Sequence, residues 1–367
     1  MNEDKSSRYH RLKRRGDVLE RLWGVLLLAG LLATGLSRGL RDWVSIASGH
    51  SGPLSVALYA GSLLLLHEMG ALPLAFLGGY RVERRYGLST EPPGAWLRGQ
   101  LKSVGLGLIL SAGAASVVYA CIRWSPERWW LPAGILFATA FVGLTNLAPV
   151  LVLPLFYSVK PLSRVSLRER LLRLAERAGA RVLGAYEWGL GAKTRKANAA
   201  LAGLGTTRRI LVSDTMLEEY SEEEIEVVLA HEIAHHVHGD IWKGLLLESA
   251  LVLAGFYLAA RALQSVGGRI GLEGPSDLAG MPLLVLAAAA VSLAMLPVSR
   301  AISRRWERGA DRFALELTRN PAAFISALRR LGAQNLAEER PSALVRWLFY
   351  SHPPIGERIA AARAFEP

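Results

Sequence analysis

Six stretches of this chain are too long and too apolar to lie on a water-facing surface, and they restrict everything else it can form. They cover about residues 18–37, 53–78, 101–123, 129–157, 241–264 and 279–300. A helix needs about 20 apolar residues to cross a bilayer core, and there it satisfies its own backbone hydrogen bonds. The expected fold is therefore mainly α: a polytopic α-helical membrane protein of about six spans. Composition agrees, since 51% hydrophobic and 20% charged residues are too apolar a mixture for an ordinary soluble domain. The fourth run exceeds 25 residues and must tilt, kink or project, with Pro149 and Pro154 as the expected kink points.

The polar parts fall between these runs in a definite pattern. The chain reads as a basic tail (1–17), four spans (18–157), a polar segment (158–240), two spans (241–300) and a polar C-terminal segment (301–367). With the N-terminus inside, the inner loops collect Arg81, Arg84, Arg85, Arg98 and Lys102, then the Arg-rich polar segments. The outer loops hold only Arg38, Arg41, Arg123, Arg128 and Arg269. Lys and Arg gather on the cytoplasmic side of membrane proteins. Both termini and both polar segments are thus expected to be cytoplasmic, in a multi-pass protein of a prokaryotic cell membrane. The same distribution accounts for the net charge of +12 with no nucleic-acid partner; the partner it requires is the lipid bilayer.

Cys121 stands alone in an apolar run, which excludes a disulfide framework and a thiolate metal site. The N-terminal basic region leads into an apolar run long enough to remain as an anchor. His67 and Glu68 interrupt the second run and should face helices or water, as a cavity lining or as a pair near a helix end.

Chemistry concentrates in the run SEEEIEVVLAHEIAHHVHGD. Ser221 and Glu224 form a capping-box pattern, which predicts a helix from there to about His238, stopped by Gly239. Four residues apart, His231 and His235 share a face of that helix and can grip one zinc ion, one per chain. Glu232 beside them can act as general base to a metal-activated water. Upstream, Ser166 and Glu169 predict a capped helix through Ala178, and 182–188, 197–201 and 209–213 read as strands with a Gly-rich turn at Gly203 and Gly205. The polar segment is thus a small α/β unit.

A catalytic zinc site takes three protein ligands. His238 and Asp240 follow the motif directly, but His238 could bind only through a break in the helix; both fit surface or interface roles better, and His236 points off the shared face. Glu307, in RRWERGADRF just after the last span, is the better third ligand. Asp311 lies four residues on, on the same helical face, where it can accept a hydrogen bond from the far nitrogen of a ligating histidine. The flanking Arg304, Arg305, Arg308 and Arg312 leave simple charge pairing as the competing explanation.

HEIAH followed after two spans by Glu307-Arg308-Gly309-Ala310-Asp311 resembles the integral-membrane zinc metalloproteases of the CAAX prenyl endopeptidase type. Pro73 with VERRYGLST, LAPVLVLPLFYSVKPL (147–162), Asn198-Ala199 and Ser351-His352-Pro353-Pro354-Ile355-Gly356-Glu357-Arg358 resemble further stretches of that family, so the likeness runs from about 53 to 360. It implies a cytoplasmic gluzincin-type protease domain in which His231, His235 and Glu307 hold zinc and Glu232 shuttles a proton. It also implies that His352 stabilises the oxyanion and that Asn198 contacts a substrate backbone bound as an added strand. Asp311 would orient a histidine, and Arg358 would pair with an acid such as Asp311. The run HHVHGD is similar instead to bacterial HtpX-type proteases, and six spans replace the seven of the eukaryotic enzymes. Peptides or membrane proteins are the implied substrates, processed or degraded; no residue points to a prenylated one. The rival of a different class is a non-catalytic metal-binding membrane protein, either a transporter or a degenerate scaffold. It is disfavoured because no expected ligand has been lost.

Overall fold

The computed structural model describes residues 4–203, 205–339 and 341–366. Residues 1–3 of the expected tail, Leu204 in the expected Gly-rich turn, and Arg340 and Pro367 of the C-terminal segment lie outside the described residues.

The chain begins with helix α1 (Lys5–Ala33), which bends by 80° into α2 (Leu36–Ala47). Helix α3 (Gly52–Leu74) continues through a π-helical turn at Ala75–Tyr80 into the short α4 (Arg81–Arg85). Helices α5 (Pro93–Trp124) and α6 (Trp130–Leu151) follow, the latter ending in the one-turn α7 (Leu153–Phe156). The polar segment holds β1 (Val159–Pro161), α8 (Val165–Arg177), β2 (Ala185–Trp188), β3 (Ala199–Ala202), β4 (Arg209–Ser213) and α9 (Asp214–Glu219). Helix α10 (Glu222–Val237) then leads into α11 (Asp240–Val266) and α12 (Met281–Thr318). Three further helices close the chain: α13 (Pro321–Gln334), α14 (Ala343–Phe349) and α15 (Ile355–Arg363).

Among the described residues five helices are long and apolar enough to cross a membrane, or six if the bent α1–α2 pair counts as one span. Their outer faces carry bare apolar side chains, as at Leu26, Met69, Ile109 and Leu246, which suits lipid and not water. Their inner faces meet around Tyr59, Tyr119, Ile122, Trp129 and Leu263. A second core, built on Leu167, Leu171, Leu174, Ile210, Ile225 and Leu229, joins α8, the sheet and α10. The sheet order is β1-β2-β4-β3, with β2 and β4 parallel and both outer pairs antiparallel, so β3 is an edge strand.

Several expectations need correction. The tail is not a free polar arm: from Lys5 it is the start of α1, and Tyr9 is buried. Arg38, Arg41 and Asp42 sit on α2, not in a loop. The expected loop over 79–100 contains α4 and the first turns of α5, and Ser89 bridges to Thr194 of the polar segment. Helix α8 starts at Val165 with Arg164 as its cap residue; the Ser166 hydroxyl donates instead to Glu222, 3.1 Å away, so that capping box does not form. Strand β1 had no sequence signal beyond three residues ending in Pro161.

The polar end of α1 reaches the rest of the protein by a glycine-to-glycine contact. A Cβ built on Gly78 would lie 2.9 Å from Cα of Gly16, with backbone on both sides and nothing flexible to move. Gly78→Ala should therefore force α1 off the end of α3 and destabilise the protein by about 1–3 kcal/mol. Thermal unfolding in detergent reads this as a lowered midpoint; an unchanged midpoint would show that the contact is dispensable.

Candidate active site

The site forms where α10 crosses α12. Ser221 caps α10 reciprocally with Glu224, so its axis and phase are set from the first turn. That phase places His231 and His235 on one side, their rings perpendicular and 5.1 Å apart. Gly239, at φ +68°, takes the left-handed conformation that ends α10 and starts α11.

Each histidine is oriented by its own carboxylate. Nδ1 of His231 lies 2.9 Å from Asp311 Oδ1, and Nδ1 of His235 lies 3.2 Å from Asp240 Oδ2. A carboxylate accepts a hydrogen bond from Nδ1–H, which turns each Nε2 toward the opposite side as the ligating nitrogen. Both Nε2 atoms face Glu307: His231 at 3.1 Å from Oε2 and His235 at 3.4 Å from Oε1. Oε2 of Glu307 is buried and makes no hydrogen bond of acceptable direction. The two Nε2 atoms and the Glu307 carboxylate converge on one point that only a cation, a proton or a metal ion, can reconcile, and the donor atoms of all three residues lie within 4.8 Å of one another. Two imidazoles and one carboxylate suit zinc. Burial opposes a charge on His231, yet the Asp311 and Glu307 carboxylates outweigh it and raise the ring to about 9. The same electron-rich surroundings raise its affinity for a cation.

Arg358 closes the far side. Its guanidinium grips Asp311 with two hydrogen bonds, of 2.8 Å from Nε and 2.6 Å from Nη2, in the fork geometry that fixes a carboxylate plane. His352 brings Nδ1 to 2.7 Å from Glu307 Oε2 while its side chain stays half exposed. Its loop is held by Arg304, which donates to Tyr350 O at 2.7 Å, and by Glu338, whose Oε2 accepts from both Tyr350 and Arg14. Arg14 belongs to α1, so the end of the first helix braces the His352 loop.

A cleft of about 570 Å³ opens onto this centre, lined by His231, Glu232, His352, Asn198, Ala199 and Arg14 among others. Glu232 is half-buried and has no hydrogen bond or ion pair among the described residues, so its carboxylate is free to act as a base. Asn198 is exposed, but its backbone turns inward: Ser213 N–H donates to its carbonyl at 2.9 Å.

The structure brings His231, His235, Glu232, Glu307, Asp311, His352, Arg358 and Asn198 to this one region. One other residue was misjudged. Asp240, set aside as a surface group, is 5% exposed and orients His235; its signal was being the first acid after the helix-ending Gly239. His236 does point off the ligand face, but to a purpose: its Nε2 lies 2.9 Å from Leu201 O. Burial pushes that ring down to about 4, so it is neutral and donates Nε2–H to the carbonyl. His238 is no ligand and packs edge-on against Phe313. His67 stacks beside Gly24 of α1, and its carbonyl accepts from Trp23.

A two-histidine, one-carboxylate centre at the end of a bundle of apolar helices defines an integral-membrane metalloprotease. Residues 161–366 match the model of peptidase family M48, and residues 2–158 match the CAAX prenyl protease N-terminal domain, described as five membrane helices. The chain is similar to the uncharacterized metalloprotease YhfN of Bacillus subtilis, 32% identical over 340 residues, or 92% of this chain and 79% of that one. It is also similar to CAAX prenyl protease 1 of Saccharomyces cerevisiae, 26% identical over 326 residues, or 83% and 71% of the two chains. In fold it matches the crystal structure of S. mikatae Ste24p, with TM-score 0.87 at 20% identity, covering 98% of this chain and 88% of that one. The chain belongs to peptidase family M48. As a membrane metalloprotease of the CAAX prenyl protease type, it is not the transporter or scaffold of the rival reading.

If Asp311 and Asp240 act through the imidazoles, Asp311→Asn and Asp240→Asn should each weaken zinc retention about 10–100-fold. Titration with a chelator of known affinity measures this, and wild-type retention in both would separate the carboxylates from the metal.

Proposed function

We propose that this protein is a gluzincin-type zinc endopeptidase that cuts peptides or membrane proteins at the mouth of its helical bundle. The observation that carries the reading is the convergence of His231 Nε2, His235 Nε2 and Glu307 on one point, beside an unpaired Glu232. When bound, zinc supplies Lewis acidity, polarising the scissile carbonyl and making a water molecule easier to deprotonate.

The protein's own residues do the rest. Glu232 takes the proton of the attacking water and passes it to the departing amine, so one carboxylate serves as base and then as acid. His352, at the mouth of the cleft with Nδ1 2.7 Å from Glu307 Oε2, is the group that would donate a hydrogen bond to the oxyanion that develops on the carbonyl. Arg358 and Asp311 keep His231 from turning. The exposed Asn198 and the edge of β3 line the cleft, where an extended peptide can add as a strand. No covalent intermediate is needed.

The distribution of Lys and Arg supports an orientation with both termini and the site on the cytoplasmic face, and the reading takes the membrane to be that of a prokaryotic cell. A reporter fused to the C-terminus, active only inside the cell, tests that orientation; activity outside would reverse it.

The deciding experiment compares the detergent-purified protein with Glu232→Gln. Both should hold about one zinc per chain, and only the unmodified protein should cleave peptides, with loss of at least about a hundredfold in the variant. Equal cleavage by both would remove Glu232 from the mechanism, and absence of zinc from both would remove the site.

A further inference from the structure

The edge of β3 that faces the cleft is not open along its length. Ser213 N–H donates to Asn198 O at 2.9 Å, and Asn198 N–H donates to Ser213 Oγ at 3.0 Å, so the backbone of Asn198 is turned toward β4. Along an antiparallel strand the turned-in residues alternate with turned-out ones. Ala200, opposite Leu211, is therefore turned in, and Ala197, Ala199 and Leu201 present their N–H and C=O groups to the edge.

Side chains from two other elements occupy the ends of that edge. Asn335, just past α13, accepts from Ala197 N–H with Oδ1 at 3.2 Å and donates from Nδ2 to Ala197 O at 3.3 Å. One carboxamide thus supplies both bonds that a neighbouring strand would make. Beside it Gln334 donates to Arg195 O at 2.8 Å, extending the closure outward. At the other end His236 donates to Leu201 O at 2.9 Å. Among the described residues the outward groups left over are the N–H and C=O of Ala199 and the N–H of Leu201, and Ala199 lines the cleft together with His231 and Glu232.

We infer that Asn335 and His236 are the register-setting residues of the substrate cleft: they block both ends of the β3 edge, so a peptide in extended conformation can pair only in a window centred on Ala199. The window has a fixed position relative to the chemistry, because His236 directly follows His235 on α10. An extended peptide docked there presents one particular bond to the centre. Side-chain pockets then need not choose among registers two residues apart, which differ in backbone pairing by a whole step. The inference rests on the peptidase reading and adds which bond is cut.

The test incubates the full-length, zinc-loaded protein in detergent with unstructured synthetic peptides and identifies products by mass spectrometry. The unmodified protein should give one dominant cut in each peptide. Asn335→Leu frees Ala197, and a second product displaced by two residues should rise by about tenfold, the scale of one or two hydrogen bonds. His236→Leu frees the Leu201 carbonyl and should displace cuts by two residues in the opposite direction, while His236→Gln, which keeps a donor, should restore the single dominant cut. If Asn335→Leu fails to fold, the His236 pair decides alone. Unshifted products at a reduced rate would mean that these side chains merely satisfy buried backbone, and would overturn the inference while leaving the peptidase reading intact. No cleavage by the zinc-loaded unmodified protein would instead overturn the peptidase reading itself.

Discussion

The bidentate grip of Arg358 on Asp311 joins parts of the chain that nothing local would bring together. Asp311 sits on α12, Arg358 on α15, and the imidazole that Asp311 orients is on α10. His231 and Asp311 are buried and Arg358 is largely so, and a buried carboxylate or guanidinium without its partner is far costlier than the pair is favourable. The arrangement is thus close to all-or-none: with α15 docked, His231 is held with Nε2 toward Glu307; with α15 displaced, Asp311 loses its main counter-charge. Electrostatics here acts chiefly as a specification of geometry.

A second tie runs from the first helix. Arg14 and Tyr350 share one oxygen of Glu338, and His10 reaches Leu336 O at 2.8 Å. The segment between α13 and α14 therefore touches α1, the His352 loop and, through Asn335, the strand edge. Leu336 holds a left-handed backbone, φ +52°, at the centre of it. That conformation is unfavourable for leucine, and the surrounding contacts must enforce it.

Much of this was legible in the residues. The spans announced themselves through length and apolarity, and the HEIAH helix through its cap, its histidine spacing and its terminating glycine. Glu307 and Asp311 were legible because spacing of four on a helix survives into three dimensions, whereas Arg358 entered only through the likeness of its C-terminal stretch to the family. What stayed hidden depends on long-range packing. Nothing in residues 5–17 says that a basic, polar stretch will be helical and bury Tyr9, since its burial comes from Val82 and Leu88 far along the chain. Ser166 had the right spacing for a cap, but Glu222 competed for its hydroxyl across 56 positions. Asp240 and His236 looked like surface groups because their partners, an imidazole on the previous helix and a strand carbonyl, are defined only once α10 lies on the sheet.

Helix α12 runs unbroken for 38 residues, from the outer end of the bundle to well past Glu307. At 1.5 Å per residue it is about 57 Å long, nearly twice the thickness of a bilayer core. The carboxylate at the reaction centre is therefore mounted on a rod whose other half is embedded in lipid. A thinner or thicker membrane changes the tilt of such a rod, and Pro297, ten residues before Glu307, is where its stiffness is weakest. A change in hydrocarbon thickness is thus a change in the tilt of the element that carries Glu307 and Asp311.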